Sequence, residues 1–125
     1  MRNRSSVVII ENTHVLLIRR EKNGEVYFVF PGGGIELGES PEEAAIREAY
    51  EELGVHVKLI GIVSKIQYNG MQYFFKAEIL SGKIGTGKAE EFANPDRGSY
   101  EPMFVPIEQL DSIPVFPKNV VEKFN

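Results

Sequence analysis

The chain has 125 residues, of which 42% are hydrophobic and 26% charged, a composition typical of one globular domain. No apolar run approaches the roughly 18 residues of a membrane span, and the four apolar residues from Val7 to Ile10 are too few for a secretion signal. The sequence contains no cysteine, which excludes disulfides, zinc–thiolate sites and thiol nucleophiles. We therefore expect a single cytoplasmic domain over residues 1–125, with no membrane partner.

The acidic residues are concentrated in one segment. The net charge is −4, but between Gly33 and Val55 a single cation, Arg47, accompanies seven carboxylates, namely Glu36, Glu39, Glu42, Glu43, Glu48, Glu51 and Glu52. Affinity for nucleic acid comes from lysine and arginine contacts to phosphate, so this segment predicts no nucleic-acid polymer as partner. A bound divalent cation would reverse the sign of the segment's interaction with phosphate.

Strand patterns dominate the first thirty residues. Three apolar runs cover Ser5–Glu11, His14–Arg20 and Glu25–Phe30, and Asn23–Gly24 between the last two is typical of a tight β-hairpin. The run Pro31–Gly34 ends the third strand. Its three glycines indicate either that another group approaches this backbone closely or that the chain turns sharply.

A helix follows, and its boundaries are marked on both sides. Ser40 is a good N-cap, Pro41 suits the first helical position, and Glu43 completes a capping box. The pattern predicts a helix from Pro41 to near Leu53, closed by Gly54 in a left-handed conformation. Its apolar stripe is predicted to contain Ala44, Ala45, Ala49, Tyr50 and Leu53.

The second half of the chain predicts another hairpin and then short elements. Two strands, joined by Asn69–Gly70, are rich in β-branched and aromatic residues. A polar, glycine-rich loop follows. The predicted ranges are strands over Val55–Gln67, Met71–Leu80 and Tyr100–Pro106, a loop over Ser81–Ser99, and short helices over Ile107–Leu110 and Lys118–Phe124.

Three glutamates occupy one face of the predicted helix. Glu48, Glu51 and Glu52 are spaced i, i+3 and i+4, so their carboxylates lie within one turn of each other. Each like-charge pair costs the helix a few tenths of a kcal/mol, and a bound cation would remove that cost. Carboxylate oxygens suit Mg²⁺ or Mn²⁺. A solvated acidic face is the alternative, and the helix alone does not decide between the two.

The spacing around these glutamates resembles the Nudix box, G-x5-E-x7-R-E-U-x-E-E-x-G-U, where U is aliphatic. Ala49 and Val55 stand at the aliphatic positions. The seven fixed positions are filled by Gly33, Glu39, Arg47, Glu48, Glu51, Glu52 and Gly54. The strand-rich order and the Phe30–Gly34 run are also similar to the family, and the short chain resembles its small MutT-like members.

The resemblance implies an α+β Nudix fold, with a mixed β-sheet sandwiched between helices. It also implies Mg²⁺-dependent (or Mn²⁺-dependent) hydrolysis of a nucleoside diphosphate linked to another group. The implied metal ligands are the main-chain carbonyl of Gly32 and the carboxylates of Glu48, Glu51 and Glu52. Arg47 and Glu39 would join the preceding loop to the helix.

Further candidates lie outside the box. Family members often add a carboxylate from a later loop as metal ligand or general base, and of Glu90 and Glu91 we favour Glu91, with two solvated loop acids as the alternative. Arg19 and Arg20 are candidates for binding phosphate, together with the backbone of Gly33 and Gly34. Because strand side chains alternate, only one of the two arginines can face the site.

The preferred substrate is a nucleoside triphosphate. ADP-ribose-cleaving relatives tend to carry a proline about fifteen residues past the box, and this sequence has none between Val55 and Asn94. ADP-ribose, a nucleotide sugar and a dinucleoside polyphosphate stay as alternative small-molecule substrates. A module that senses a nucleotide without cleaving it is the rival from another class, but loss of box glutamates would be typical of it, and all are present.

Overall fold

The computed structural model describes residues 2–85 and 98–124. Its strands are β1 (Arg4–Glu11), β2 (His14–Lys22), β3 (Glu25–Val29), β4 (Gly32–Gly34), β5 (Val55–Gln67), β6 (Met71–Gly82), β7 (Ser99–Pro106) and β8 (Val115–Phe116). The α-helices are α1 (Pro41–Leu53) and α2 (Lys118–Val121), and 3-10 helices cover Ile107–Ser112 and Glu122–Phe124. The predicted strands and helices are confirmed, with strand ends shifted by one or two residues at Arg4, Lys22, Val29, Gly82 and Ser99. Most of the loop predicted over Ser81–Ser99 lies outside the described residues.

These strands form a mixed sheet in the order β5-β6-β1-β2-β3-β8, with β4 beside β1 and β7 beside β2. The β1–β6 and β3–β8 pairs are parallel and the other pairs antiparallel. Both asparagine–glycine turns adopt the left-handed conformation that tight hairpins require, with φ angles of 53° and 80° at Asn23 and Gly24 and 52° and 105° at Asn69 and Gly70. The two predicted hairpins are therefore confirmed.

Helix α1 has the predicted boundaries. The Ser40 Oγ accepts a hydrogen bond from the Glu43 amide at 3.0 Å, and the Glu43 carboxylate accepts one from the Ser40 amide at 2.8 Å. Gly54 closes the helix with a φ of 83°. The predicted stripe is wrong at Tyr50, which is 53% exposed and stacks on His56. Glu52 is buried in its place, at 7% exposure, because this part of α1 faces the glycine strand β4 as well as the core.

The three glycines after Pro31 form strand β4 instead of a sharp turn. β4 pairs antiparallel with β1, with Ser5 opposite Gly33, and none of the three glycines has a left-handed φ. A Cβ on Gly32 would overlap the carbonyl oxygen of Ser5 and the side chain of Ser6. Of the two interpretations of this run, close approach of another group is therefore the correct one.

Two buried clusters lie on opposite faces of the sheet, as the alternation of neighbouring residues between them requires. One contains Val7, Ile9 and Phe75 and is covered by α1. The other contains Val8 and Phe74 and is covered by the C-terminal helices. The predicted sandwich of a mixed sheet between helices is thus confirmed. Within residues 2–85 and 98–124, none of the helices has the length and apolar character needed to span a bilayer.

The site is positioned by the way β1 and β2 separate. They pair only next to their connecting turn, at Ile10–Val15 and Glu11–His14. Further along, β1 pairs with β4 and β6, whereas β2 pairs with β3 and β7. The start of β1 and the end of β2 therefore lie apart, on two sides of the same cavity.

Candidate active site

A cavity of about 440 Å³ opens between the separated strands. Its walls come from the start of β1, the end of β2, β3, β4, α1 and β7. The lining residues are Arg2, Arg4, Ile18, Arg20, Lys22, Tyr27, Val29, Phe30, Gly32, Gly33, Gly34, Glu48, Glu52 and Tyr100. The cavity thus brings together two box glutamates, the glycine strand and one of the two candidate arginines.

Glu48 and Glu52 reach this cavity from adjacent turns of α1. The Glu52 carboxylate accepts a hydrogen bond from the Gly32 amide at 3.0 Å, so the buried acid is tied to the strand opposite the helix. Glu48 is 15% exposed and lies against Gly33. A Cβ on Gly33 would overlap the Glu48 carboxylate, so glycine at this position leaves the space that the acid occupies.

Arg47 links the helix to the loop that precedes it. All five of the N–H donors of its guanidinium are used. Three of the five hydrogen bonds go to residues that precede the helix, two to the carboxylate oxygens of Glu39 in the loop at 2.7 and 3.0 Å and one to the carbonyl oxygen of Gly34 in β4 at 2.9 Å. The other two go from Nη1 to Glu48 at 3.1 Å and to Glu51 at 3.0 Å.

The charges of this network shift the pKa values of its members. The hydrogen bonds from Arg47, followed by one from the backbone amide of Glu36, lower the pKa of Glu39 from 4.5 to about 2. The hydrogen bond to Glu39 raises the pKa of Arg47 above its usual value. Both residues are therefore charged at neutral pH, and the guanidinium keeps the Glu39 carboxylate ionised at pH values well below its ordinary pKa.

The three box glutamates are not equivalent. Glu51 has a 48% exposed side chain, bonds to Arg47 and does not line the cavity. Among the described residues, no three histidine, aspartate or glutamate side chains are close enough to form a complete ligand set. The physical reason is that Arg47 holds Glu51, while the Gly32 amide holds Glu52.

The donor chemistry nevertheless fits a hard divalent cation. Mg²⁺ is usually bound through one or two carboxylates, with waters and substrate phosphate oxygens completing its shell. Glu48 and Glu52 provide two carboxylates in one cavity, and Gly32 lies beside them. The oxygen-only character of this set suits Mg²⁺ or Mn²⁺. Glu90 and Glu91, the candidates from the later loop, lie outside the described residues.

The structure separates the two candidate arginines. Arg20 lines the cavity, and its guanidinium lies 3.7 Å from the centre of the Tyr100 ring. Its Nε also donates to the Ser99 carbonyl oxygen at 3.3 Å. Arg19 does not line the cavity and instead forms an ion pair with Glu21 at 3.3 Å. The alternation of β2 explains this separation, because Ile18, Arg20 and Lys22 share one face.

Several cavity residues were missed by the sequence reasoning. Arg2, Arg4 and Lys22 belong to no motif, and Tyr100 was predicted only as part of a strand. The i, i+2 spacing of Arg2 and Arg4 next to a strand is the signal that could have placed them on one face. The cavity is enclosed by strands that pair across long sequence separations, and local sequence patterns do not predict such pairing.

Comparison with known proteins identifies the family to which the chain belongs. A model described as NUDIX domain matches residues 1–124. The RNA pyrophosphohydrolase of Blochmanniella pennsylvanica (strain BPEN) is 36% identical over 78 residues, which are 62% of this chain and 49% of the relative. The 8-oxo-dGTP diphosphatase of Escherichia coli (strain K12) is 37% identical over 60 residues, 46% of each chain. The chain thus spans about half the length of these curated relatives.

Solved structures support the same fold. The MutT NUDIX hydrolase from Burkholderia pseudomallei superposes with a TM-score of 0.77 at 22% identity, covering 99% of this chain and 98% of that one. A UDP-X diphosphatase superposes with a TM-score of 0.73 at 21% identity, covering 98% and 60%. The box spacing, the mixed sheet and a family model that matches nearly the whole chain agree, and the chain belongs to the NUDIX domain family.

Proposed function

We propose that this chain is a divalent-cation-dependent hydrolase of the pyrophosphate bond in a nucleoside diphosphate linked to another group, with a nucleoside triphosphate as the preferred substrate. One observation carries the proposal. Two box carboxylates, Glu48 and Glu52, line the same cavity as a set of arginine and lysine side chains. Carboxylate oxygens bind divalent metal ions, and arginine and lysine side chains bind phosphate oxygens. The cavity therefore contains the two types of group, metal ligands and phosphate-binding cations, that phosphoryl transfer uses.

Glu48 and Glu52 would hold Mg²⁺ or Mn²⁺, with the Gly32 carbonyl as a further ligand. Glu51 would join them after exchanging its bond to Arg47. Such an ion offsets charge on phosphate oxygens and activates water for attack on phosphorus at neutral pH. Glu91 is our candidate for the general base or a further ligand.

The chain's own groups perform the positioning. Arg20, stacked on Tyr100, would bind phosphate oxygens from the side of the cavity opposite α1. Arg47 orients the Glu48 carboxylate through a 3.1 Å hydrogen bond, and the Gly32 amide orients that of Glu52. The backbone of Gly33 and Gly34 also lines the cavity, at a position where a substrate phosphate would lie. Together these contacts would position the phosphate chain next to the metal ion that Glu48 and Glu52 would hold.

The names of two relatives support the choice of a polyphosphorylated substrate. One is named as a diphosphatase of 8-oxo-dGTP and the other as an RNA pyrophosphohydrolase. ADP-ribose, nucleotide sugars and dinucleoside polyphosphates are the alternative substrates for the same chemistry. They differ from a triphosphate in the number and charge of the phosphates that the cavity must bind.

The proposal is tested by phosphate and pyrophosphate release from a nucleotide panel. The panel contains canonical and oxidised nucleoside triphosphates, ADP-ribose, nucleotide sugars and dinucleoside polyphosphates, each with Mg²⁺, with Mn²⁺ and with EDTA. We expect turnover of a triphosphate that EDTA abolishes, because the acids require a cation between them and the phosphates. If no compound of the panel is hydrolysed but calorimetry shows tight nucleotide binding, the protein is instead a nucleotide sensor.

Glu52→Gln separates catalysis from folding. The glutamine amide oxygen can still accept the hydrogen bond from the Gly32 amide, so the urea midpoint should stay close to that of the wild type. The lost charge should lower kcat/KM at least about a hundredfold, because the metal ion that Glu52 would hold stabilises the charge of the transition state. Glu42→Gln, an exposed substitution in the first turn of the same helix, is the matched control. Wild-type turnover by Glu52→Gln would remove this residue from the site.

Gly33→Ala tests the space beside Glu48. The added methyl group would overlap the Glu48 carboxylate and force it out of the cavity. We therefore expect kcat/KM to fall, whereas the urea midpoint of the metal-free protein should change little. Gly61→Ala is the control, because a Cβ there meets no atom within 4 Å and the backbone is not left-handed. Equal activity of the two variants would show that the position of Glu48 does not matter for turnover.

Glu39→Gln tests the role of Arg47 in holding the loop. A carboxylate whose pKa is lowered from 4.5 to about 2 on folding stabilises the fold above pH 4.5, and this stabilisation is lost as the pH falls towards 2. Urea denaturation across this window should therefore show a weaker acid dependence in Glu39→Gln than in the wild type. Glu42→Gln should retain the wild-type dependence. Identical pH profiles for Glu39→Gln and the wild type would contradict a stabilising loop contact.

A further inference from the structure

Among the described residues, four cationic side chains line the cavity that holds Glu48 and Glu52, two on each side of it, and we call these four together the cationic wall. They are Arg2, Arg4, Arg20 and Lys22. Over residues 2–85 and 98–124, Arg2, Arg4 and Lys22 form no ion pair within 4.0 Å. Arg47, by contrast, has four carboxylates within that distance. Positive charge facing a cavity without carboxylate partners in this part of the chain favours an anionic ligand.

The start of the chain is held in place although its arginines are exposed. The Arg2 amide donates to the Asn69 carbonyl oxygen at 3.3 Å. Asn3 accepts two bonds, one at its carbonyl oxygen from the Ile35 amide and one at Oδ1 from the Met71 amide, both 2.9 Å long. These contacts fix the backbone to the β5–β6 hairpin and to the residue after β4. Arg2 is therefore not part of a free tail.

The side chains of the wall are also constrained by their neighbours. Arg4 lies in the sheet between Gly34 of β4 and Gln72 of β6. A Cβ on Gly34 would overlap the guanidinium of Arg2, so this guanidinium lies across the glycine strand. Arg2 and Arg4 thus flank the same end of β4 whose other residues contact the box acids. Arg20 and Lys22 face them from β2, on the other side of the cavity.

The charge of the cavity decides which phosphate compounds suit it. Among the described residues, four cations and two carboxylates line the cavity, so this part of the lining carries net positive charge before any divalent cation is added, and a bound cation makes it more positive. A diphosphate esterified at both ends, as in ADP-ribose or a nucleotide sugar, carries about two negative charges, whereas a nucleoside triphosphate carries about four near neutral pH, because its terminal phosphate has a second pKa near 6. The triphosphate is therefore the better electrostatic match.

We propose that Arg2 and Arg4 bind the phosphates of a polyphosphate chain that lie beyond the two flanking the cleaved bond. These residues then determine specificity, since they favour substrates with three or more consecutive phosphates over doubly esterified diphosphates. The placement of the cleaved bond rests on the proposed function. The binding of a longer phosphate chain by Arg2 and Arg4 does not, so it can be measured without turnover.

The first experiment measures binding of inorganic tripolyphosphate and of pyrophosphate by calorimetry, in EDTA and at fixed salt. We expect the wild type to bind tripolyphosphate more tightly. The double variant Arg2→Gln/Arg4→Gln should lose about tenfold or more of this affinity, the scale of a charge-assisted hydrogen bond, and less of its affinity for pyrophosphate. The Arg2→Lys/Arg4→Lys variant should recover most of the loss, because it restores the charge.

Lys58→Gln/Lys76→Gln is the matched control, since it removes two charges from exposed positions of β5 and β6 that do not line the cavity. It should bind both anions as the wild type does. An equal loss in this control, or equal losses for tripolyphosphate and pyrophosphate in the arginine variant, would overturn the inference in favour of a net-charge effect. Urea denaturation establishes folding, and the single variant Arg2→Gln replaces the double variant if that fails to fold.

The second experiment compares kcat/KM for a nucleoside triphosphate with kcat/KM for a nucleotide sugar. The ratio should fall in Arg2→Gln/Arg4→Gln and stay constant in the lysine control. EDTA-sensitive turnover with an unchanged ratio would overturn the role of Arg2 and Arg4 while leaving the proposed function intact. Tripolyphosphate selectivity that depends on Arg2 and Arg4, in a protein that hydrolyses no nucleotide, would support their role and overturn the proposed function.

Discussion

The guanidinium of Arg47 joins the parts of the site, because its five donors serve both the loop and the helix. It binds Glu39 and the Gly34 carbonyl on one side and Glu48 and Glu51 on the other. A lysine has three donors and no planar fork, so it could not make this set of contacts. Without Arg47, the acids of α1 would repel one another and the loop leading into the helix would lose its attachment.

This network changes the argument for a metal ion. The repulsion among Glu48, Glu51 and Glu52 suggests from the sequence that a cation must stabilise the helix. In the structure Arg47 already offsets the charge of two of them, and the Gly32 amide satisfies the third. The stability of α1 therefore does not require a metal. The argument for a metal ion rests instead on the position of Glu48 and Glu52 in one cavity that arginine and lysine side chains also line.

Local sequence signals predicted the fold where local chemistry determines it. The cap at Ser40, the left-handed Gly54 and the two asparagine–glycine turns each depend on a few neighbouring residues, and all four appear as predicted. Tyr50 was misplaced because an apolar residue at a helical spacing can still lie at the edge of the buried face. The pairing of β4 with β1 was not predictable, since three glycines carry no side-chain pattern that would reveal a strand.

The same distinction explains which parts of the site the sequence revealed. The acids come from one helix, so their spacing alone placed them on one face. The cations come from two strands that pair only at their far ends, and their proximity is a product of the whole topology. The box therefore identifies the family through the spacing of one helix, whereas the cations that line the rest of the cavity belong to no motif. In our proposal, selectivity among phosphate compounds accordingly resides in Arg2 and Arg4, outside the box.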